Sequence, residues 1–222
     1  MTEELIKVDF HCHSDASPDS LVKPAELIAT ARERGITRMV VTDHNTIRGA
    51  LRCKELDPEL IIVGEEVQTT CSELLASFVT KEVPRDLEPK EAIACLRDQG
   101  AFISISHPFD PHRGWQIKDL LAIIDLVDAV EVFNARCYKP EWNLQAMEFA
   151  GEHGKPGTVG SDSHSLYEIG GAGLMVPAFE TADELRAVIH RGKVEAELAS
   201  PLVHLGSRYA KWVKSFFPIE ES

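Results

Sequence analysis

Positive charge is scarce in this chain: 23 Lys and Arg stand against 36 Asp and Glu, a formal net charge of -13. Proteins that hold duplex nucleic acid neutralise its phosphates with Lys and Arg, so long nucleic acid is disfavoured as a partner. A small anionic substrate stays allowed, because bound divalent cations reverse the local field. The five cysteines, Cys12, Cys53, Cys71, Cys95 and Cys137, form no CxxC pair. That argues against a zinc ribbon and against a disulfide framework, and free thiols imply a reducing compartment. No apolar run is long enough to span a bilayer, and residues 1–7 lack a basic segment followed by an apolar one. A soluble, cytoplasmic protein without a membrane partner is therefore expected. The chain also lacks a Gly-x-Ser-x-Gly elbow and a Walker-type phosphate loop, which removes two common routes to hydrolysis.

What is present is an alternation of strand-like and helix-like runs. With 222 residues and 44% hydrophobic content, one core and one domain over 1–222 are expected. Strands are expected at 6–10, 39–42, 61–64, 73–79, 101–106, 129–133, 158–161 and 174–177. Helices are expected from Pro24 to Gly35, over 46–56, 89–99, 116–124 and 140–153, and over 181–191 with Thr181 as its cap. This order argues for parallel β/α units. Gly170-Gly171-Ala172-Gly173 reads as a flexible turn. The tail over 203–217 is aromatic and basic, and reads as an amphipathic helix covering an end or side of the molecule.

Metal-type ligands recur at the ends of the strand-like runs: His11-Cys12-His13, Asp43-His44, Glu65-Glu66, His107-Pro108 and Asp162-Ser163-His164. Such ends converge on one face of a barrel or sheet, where α/β enzymes assemble their sites. His11 and His13 are two apart, so on a strand both rings reach one side while Cys12 faces the other. Mixed imidazole and carboxylate ligation suits Zn, Mn or Fe without choosing among them. Arg113 and Arg136 lie just past strand ends and are candidate phosphate contacts through their planar forks. His112 is a possible assistant to Arg113, whereas His153, His190 and His204 read as surface or packing residues.

The ordered set HCHSDASPDS, VTDHNTIRGA, GEEV, SHPFD, EVFNAR and GSDSH resembles the PHP family, whose name refers to members associated with DNA polymerases and with histidinol phosphatase. The resemblance runs from about residue 9 to 173, and the segment from about 176 to 222 is similar to the one that follows the core (about 6–175) in small stand-alone members. It implies a distorted (β/α)7 barrel of the PHP type, with two to three divalent ions at the carboxyl ends of its strands. Matched position by position, the implied ligands are His11, His13, Asp19, His44, Glu66, His107, Asp162 and His164. Asp19 stands where some members have His. Glu66, two residues after the glycine, is the bridging acid in preference to Glu65, and Glu66, Asp162 and His107 form the expected catalytic core. Many members carry a further His after the bridging acid; here the stretch reads Cys71-Ser72-Glu73. Glu73 is either the replacement ligand or a solvated strand residue beside a weak second site.

The implied reaction is hydrolysis of a small phosphomonoester by attack of a metal-bridging hydroxide. Three other readings share the motifs: a nucleotide phosphodiesterase or exonuclease acting on short oligonucleotides, an amidohydrolase, and a non-catalytic metal-binding barrel. Against the amidohydrolase, those enzymes are generally longer, and the TDHN and GSDSH pairs fit PHP better. The sequence fixes neither the substrate nor the oligomeric state.

Overall fold

The computed structural model describes residues 5–216. Apolar runs become nine strands: β1 Leu5–Cys12, β2 Arg38–Val41, β3 Ile61–Gln68, β4 Glu73–Ser77, β5 Phe102–Ile105, β6 Ala129–Asn134, β7 Gly157–Gly160, β8 Ala172–Pro177 and β9 Lys193–Ala196. They form one sheet in the order β7-β6-β5-β4-β3-β2-β1-β8-β9. Strands β1, β2 and β3 run parallel, as do β5, β6 and β7. Strand β4 is antiparallel to both its neighbours, and β8 and β9 continue antiparallel outside β1.

The seven strands β1–β7 curl until the end of β1 meets the end of β7. His13 N–H donates to the Ser163 carbonyl at 2.9 Å, and Asp162 N–H to the His11 carbonyl at 2.7 Å. The buried Asp9 carboxylate accepts from Ser161 N–H at 3.0 Å and from Ser161 Oγ–H at 2.5 Å. The result is a nearly closed, barrel-like α/β sheet, as expected. It is distorted because β3 and β4 form a hairpin with no helix between them, so the β/α repeat breaks there.

The helices are α1 Pro24–Glu33, α2 Arg48–Leu56, α3 Pro89–Arg97, α4 Ile117–Ile123, α5 Pro140–Glu152, α6 Ala182–Val188 and α7 Val203–Phe216. Pro starts α1, α3 and α5, where a missing N–H costs nothing, and Gly35, Gly100 and Gly154 follow them at positive φ. Thr181 caps α6 by accepting from Glu184 N–H at 3.2 Å. Alternate strand residues separate two cores. Val8, Val40, Ile62 and Ile103 belong to the larger one, and Met39, Val41 and Ile61 pack with Leu27, Ala31 and Cys53 of α1 and α2.

Three expectations change. Ala172 and Gly173 are not turn but the start of β8. Strand β9 was not expected, because Val194 is an isolated apolar residue between the exposed, charged Lys193 and Glu195. Helix α7 is amphipathic with its polarity reversed. Leu202 just before it, with Leu205, Tyr209, Trp212 and Phe216 on it, faces outward, while Lys214 turns inward to the carbonyls of Asp15 and Ser17. Phe217, the last residue of the expected tail helix, lies outside the described residues. No described helix is long and apolar enough to cross a membrane.

Alternation in β3 sends Glu65 and Glu66 to opposite sides. Glu65 is buried against the 82–83 segment, where Val83 N–H donates to it at 3.1 Å. Burial pushes its carboxyl up to about 7. A raised carboxyl pKa leaves stability intact below the ordinary value and erodes it as pH climbs through the folded value. Glu65→Gln should therefore stabilise the fold more at pH 8 than at pH 5, by about 2 kcal/mol, in paired thermal or denaturant unfolding. An equal effect at both pH values would contradict the placement.

Candidate metal centre

Strand ends deliver the polar side chains to one rim of the barrel. His11 lies in β1 and His13 just beyond it, both pointing into the barrel mouth. Cys12 faces the other way, its Sγ–H donating to the Val40 carbonyl at 3.4 Å. Asp43, after β2, also turns away: its carboxylate accepts from Ser14 N–H, Ser14 Oγ–H and Ser17 Oγ–H at 2.6–2.7 Å. It fastens the 14–20 loop that carries Asp19. The antiparallel sense of β4 decides where Glu73 goes. Its first residue, not its last, lies beside the carboxyl ends of the neighbours, paired with Gln68.

The ligand-type atoms fall into three overlapping groups. In the first, His11 Nε2 and His13 Nε2 are 3.1 Å apart, and Glu66 oxygens lie 3.3 and 3.4 Å from them. Asp162 Oδ1 completes the group at 3.6 and 3.4 Å. In the second, His107 Nε2 is 3.2 Å from both Glu66 Oε1 and Glu73 Oε2, and His44 Nδ1 is 3.0 Å from Glu66 Oε2 and 3.6 Å from Glu73 Oε1. In the third, Asp19 Oδ1 sits 3.2 Å from His164 Nε2 and 3.5 Å from His44 Nε2. Donors bound tetrahedrally at ~2.0–2.1 Å from zinc are themselves ~3.3–3.4 Å apart, so these separations fit a shared cation.

Two further observations bear on that fit. Asp19 Oδ1 and Asp162 Oδ1 are buried and accept no hydrogen bond, although both face imidazole nitrogens. A buried carboxylate oxygen without a partner is costly, and a cation would satisfy it. The rings are also held in the tautomer a metal needs. Glu131 Oε1 lies 2.9 Å from His11 Nδ1 and accepts its proton's hydrogen bond, so a cation that displaced the second ring proton would find the Nε2 lone pair directed at the site. Ser17 donates to Asp43, so its oxygen accepts from His13 Nδ1 at 3.0 Å with the same result.

The charges are strongly coupled. Burial opposes ionisation of Glu66, but His11 and His44 hold it well below the usual carboxylate range. Asp162 is likewise held low against burial, by His11 and Arg113. Burial would depress His11; Glu66, Asp162 and Glu131 outweigh it and raise the ring well above its ordinary value. His13 is driven the other way by burial and by the neighbouring His164 and His44. His107 and Asp162 adopt positive φ, of 22° and 51°, a backbone region costly for side chains other than Gly. His107 N–H donating to Glu131 Oε2 at 2.7 Å, and Asp162 N–H to the His11 carbonyl, hold them there.

All nine expected ligands, His11, His13, Asp19, His44, Glu66, Glu73, His107, Asp162 and His164, meet in this cluster. Glu73 points at His44 and His107 and not into solvent. Arg113 and Arg136 line the adjoining cavity of about 530 Å³, together with His112. Both arginines are already engaged. Arg113 bonds Asp162 at 2.6 Å and Asp110 at 3.1 Å, while Arg136 pairs with Glu168 at 3.1 Å and abuts His164 Nδ1. His204 packs, stacking on Tyr138 with ring centroids 4.2 Å apart, and it also lines the cavity.

Glu131 is the residue that motif reading passed over, although it opens the EVFNAR run. A fully buried acid between the apolar Val130 and Val132 of β6 is the signal that could have found it. Gly160 belongs to the same device, because a Cβ there would come within 2.3 Å of His11 Cβ and 2.6 Å of Glu131 Oε1.

An α/β barrel with mixed histidine and carboxylate groups at its strand ends is the frame of a metal-dependent hydrolase. The family model for the PHP domain matches residues 9–99, and the PHP-associated model matches 140–194. The chain belongs to the PHP family of metal-dependent phosphoesterases. An uncharacterized protein of Methanocaldococcus jannaschii is 34% identical over 172 residues, which is 75% of this chain and 69% of the relative. Three solved structures share the fold at lower identity. PsfC of Pseudomonas syringae has a TM-score of 0.71 at 18% identity, covering 94% of this chain and 98% of its own. A Bifidobacterium adolescentis protein assigned as a metal-dependent phosphoesterase has a TM-score of 0.61 at 18%, covering 84% and 96%. The lesion-specific endonuclease EndoQ of Pyrococcus furiosus has a TM-score of 0.64 at 16%, covering 86% of this chain and 57% of its own.

Outer carboxylates that orient ligating histidines typically contribute ~10–100-fold to metal affinity. Glu131→Gln should weaken Mn²⁺ binding by about that factor in a titration followed by electron paramagnetic resonance. Unchanged affinity would show that Glu131 does not orient His11 for a metal.

Proposed function

We propose that this chain hydrolyses a small phosphomonoester, using two to three divalent ions held by the nine-residue cluster. The observation that carries this reading is the pair of buried, unpartnered oxygens among imidazoles, Asp19 Oδ1 and Asp162 Oδ1, in a cluster whose Asp19, His44, Glu73 and His164 line a cavity of about 530 Å³. That volume suits a small organic phosphate and is far too small for a folded nucleic acid. His11, His13 and Asp162 would hold one ion; Glu73 and His107 a second; Asp19, His44 and His164 a third. Glu66 would be shared by the first two. The donor set suits Zn, Mn or Fe. Once bound, the ions activate water near neutral pH and neutralise charge on the phosphoryl oxygens.

The chain's own residues do the rest. Arg113 Nη2 has no hydrogen-bond partner while the rest of its guanidinium is fixed by Asp110 and Asp162. It is a pre-oriented donor beside the cluster. Asp162 is held well below the usual carboxylate range, so near neutral pH it is an anion and not a proton source. Arg136 packs beside His164 while bonded to Ser207 and Glu168, and the Asp162 carbonyl, 2.8 Å from Nδ1, is the acceptor that leaves Nε2 of that ring directed at Asp19. We read 1–222 as one functional unit, because β8 of the PHP-associated segment is hydrogen-bonded directly to β1. Free, unpaired thiols favour a reducing compartment such as the cytoplasm.

A diester reading also has support, since the structural neighbours include an endonuclease. Hydrolysis of p-nitrophenyl phosphate, its bis ester, histidinol phosphate, nucleotides and a short oligonucleotide separates the two. With Mn, Zn or Fe supplied, monoesters should be turned over best. Chelation should abolish turnover, and His13→Ala and Asp162→Ala should each lower it on the order of 100-fold or more. Preference for the bis ester or the oligonucleotide would favour the diester reading. No turnover with metals confirmed bound would overturn both.

A further inference from the structure

Helix α7 lies outside both matched family segments, which end at residue 194. One flank of it nonetheless forms a wall of the metal-site cavity, through half-buried His204 and Ser207 and through Arg208 and Lys211, which stay exposed at its mouth. These positions fall three, one and three residues apart, so they share one side of a helix. The apolar stripe of the same helix faces outward. A helix that covered a dry core would be oriented the other way round. The reversed polarity of α7 is that of a wall built against a charged, aqueous cavity.

Several contacts fix this wall. Arg136 Nη2–H donates to Ser207 Oγ at 2.7 Å, and His204 Nε2 meets the Arg136 carbonyl at 3.2 Å. Lys214 Nζ–H donates to the carbonyls of Asp15 and Ser17 at 2.6 and 2.5 Å. The wall thus rests on the loop that carries Asp19 and on the arginine that touches His164. Lys211 Nζ lies 3.2 Å from Asp19 Oδ2, one carboxylate away from the cluster. Arg208 has no carboxylate or carbonyl partner among the described residues, unlike Arg113 and Arg136, which are tied down by acids.

We infer that Arg208, with Lys211 beside it, is the anion-reading element of the cavity: α7 supplies the substrate's charge contacts, and Arg208 binds a phosphoryl or other anionic oxygen of the bound molecule. This rests on the phosphoesterase reading but not on turnover. Two cations on one wall select a small molecule carrying full phosphate charge over a neutral or singly charged one. They also explain how a chain of net charge -13 admits an anion at all. Substrate preference is then set in a part of the chain that the family segments do not include.

Inorganic phosphate is the probe, titrated calorimetrically into the Mn-loaded full chain and into Arg208→Ala, Arg208→Lys and Trp212→Ala. Trp212 lies on the outward stripe of the same helix, so its variant reports on helix docking alone. Arg208→Ala should weaken phosphate binding about tenfold, Arg208→Lys should recover most of the loss, and Trp212→Ala should bind like wild type. With p-nitrophenyl phosphate, the Arg208→Ala effect should fall on KM far more than on kcat. Equal phosphate affinity in wild type and Arg208→Ala, an equal loss in Trp212→Ala, or no phosphate binding to wild type would each overturn the inference. Phosphate binding that depends on Arg208 without turnover of any ester would sink the phosphoesterase reading and leave the wall intact.

Discussion

Buried negative charge at the barrel mouth is the constraint on which the rest of the structure depends. Asp19, Glu66 and Asp162 are nearly inaccessible to water, and Glu73 stands beside them. Carboxylates so placed cannot stay ionised unless cations surround them. The five histidines and Arg113 supply part of that compensation, and their proximity holds Glu66 and Asp162 in the charged form despite burial. Divalent ions would supply it more completely, because they also satisfy the oxygens no hydrogen bond reaches. Seen this way, the second ring of groups has one purpose. Glu131, Asp43 and Asp9 fix the histidines, the loop and the barrel seam, so that the inner carboxylates and rings cannot move apart.

The break in the β/α repeat follows from the same need. A regular parallel β4 would begin at the far end of the barrel and carry Glu73 away from the cluster. Because β4 returns antiparallel from β3 through a short turn, its first residue arrives at the rim instead. The hairpin therefore supplies two acids, Glu66 and Glu73, from adjacent strands within a few ångströms of His44 and His107. A distortion of the fold and a feature of the site are one event.

The parts legible in the sequence were those with a local cause. Pro at helix starts and Gly past helix ends marked α1, α3 and α5, and His11 and His13 declared a common direction through strand alternation. Glu66 was preferred to Glu65 only through the family resemblance, and the structure has Glu65 bonded to Val83 on the opposite side. Parts with a non-local cause were not legible. Whether Glu73 met solvent or the cluster depended on the sense of β4, which no residue of β4 encodes. Glu131 acts on His11 across 120 residues of chain. The tail announced an amphipathic helix, but which face looks inward is decided by the charge of the cavity it meets. Exposed β9 sets Val194 alone between two charged residues and pairs only because β8 offers an open edge.

Metal content of the purified chain and of Glu66→Ala, measured by plasma mass spectrometry, is the deciding experiment. About two or more divalent ions per wild-type chain are expected, with a loss of more than one on removing the carboxylate shared between groups. A full complement retained in Glu66→Ala, or a metal-free wild-type chain that hydrolyses phosphate esters, would contradict this expectation.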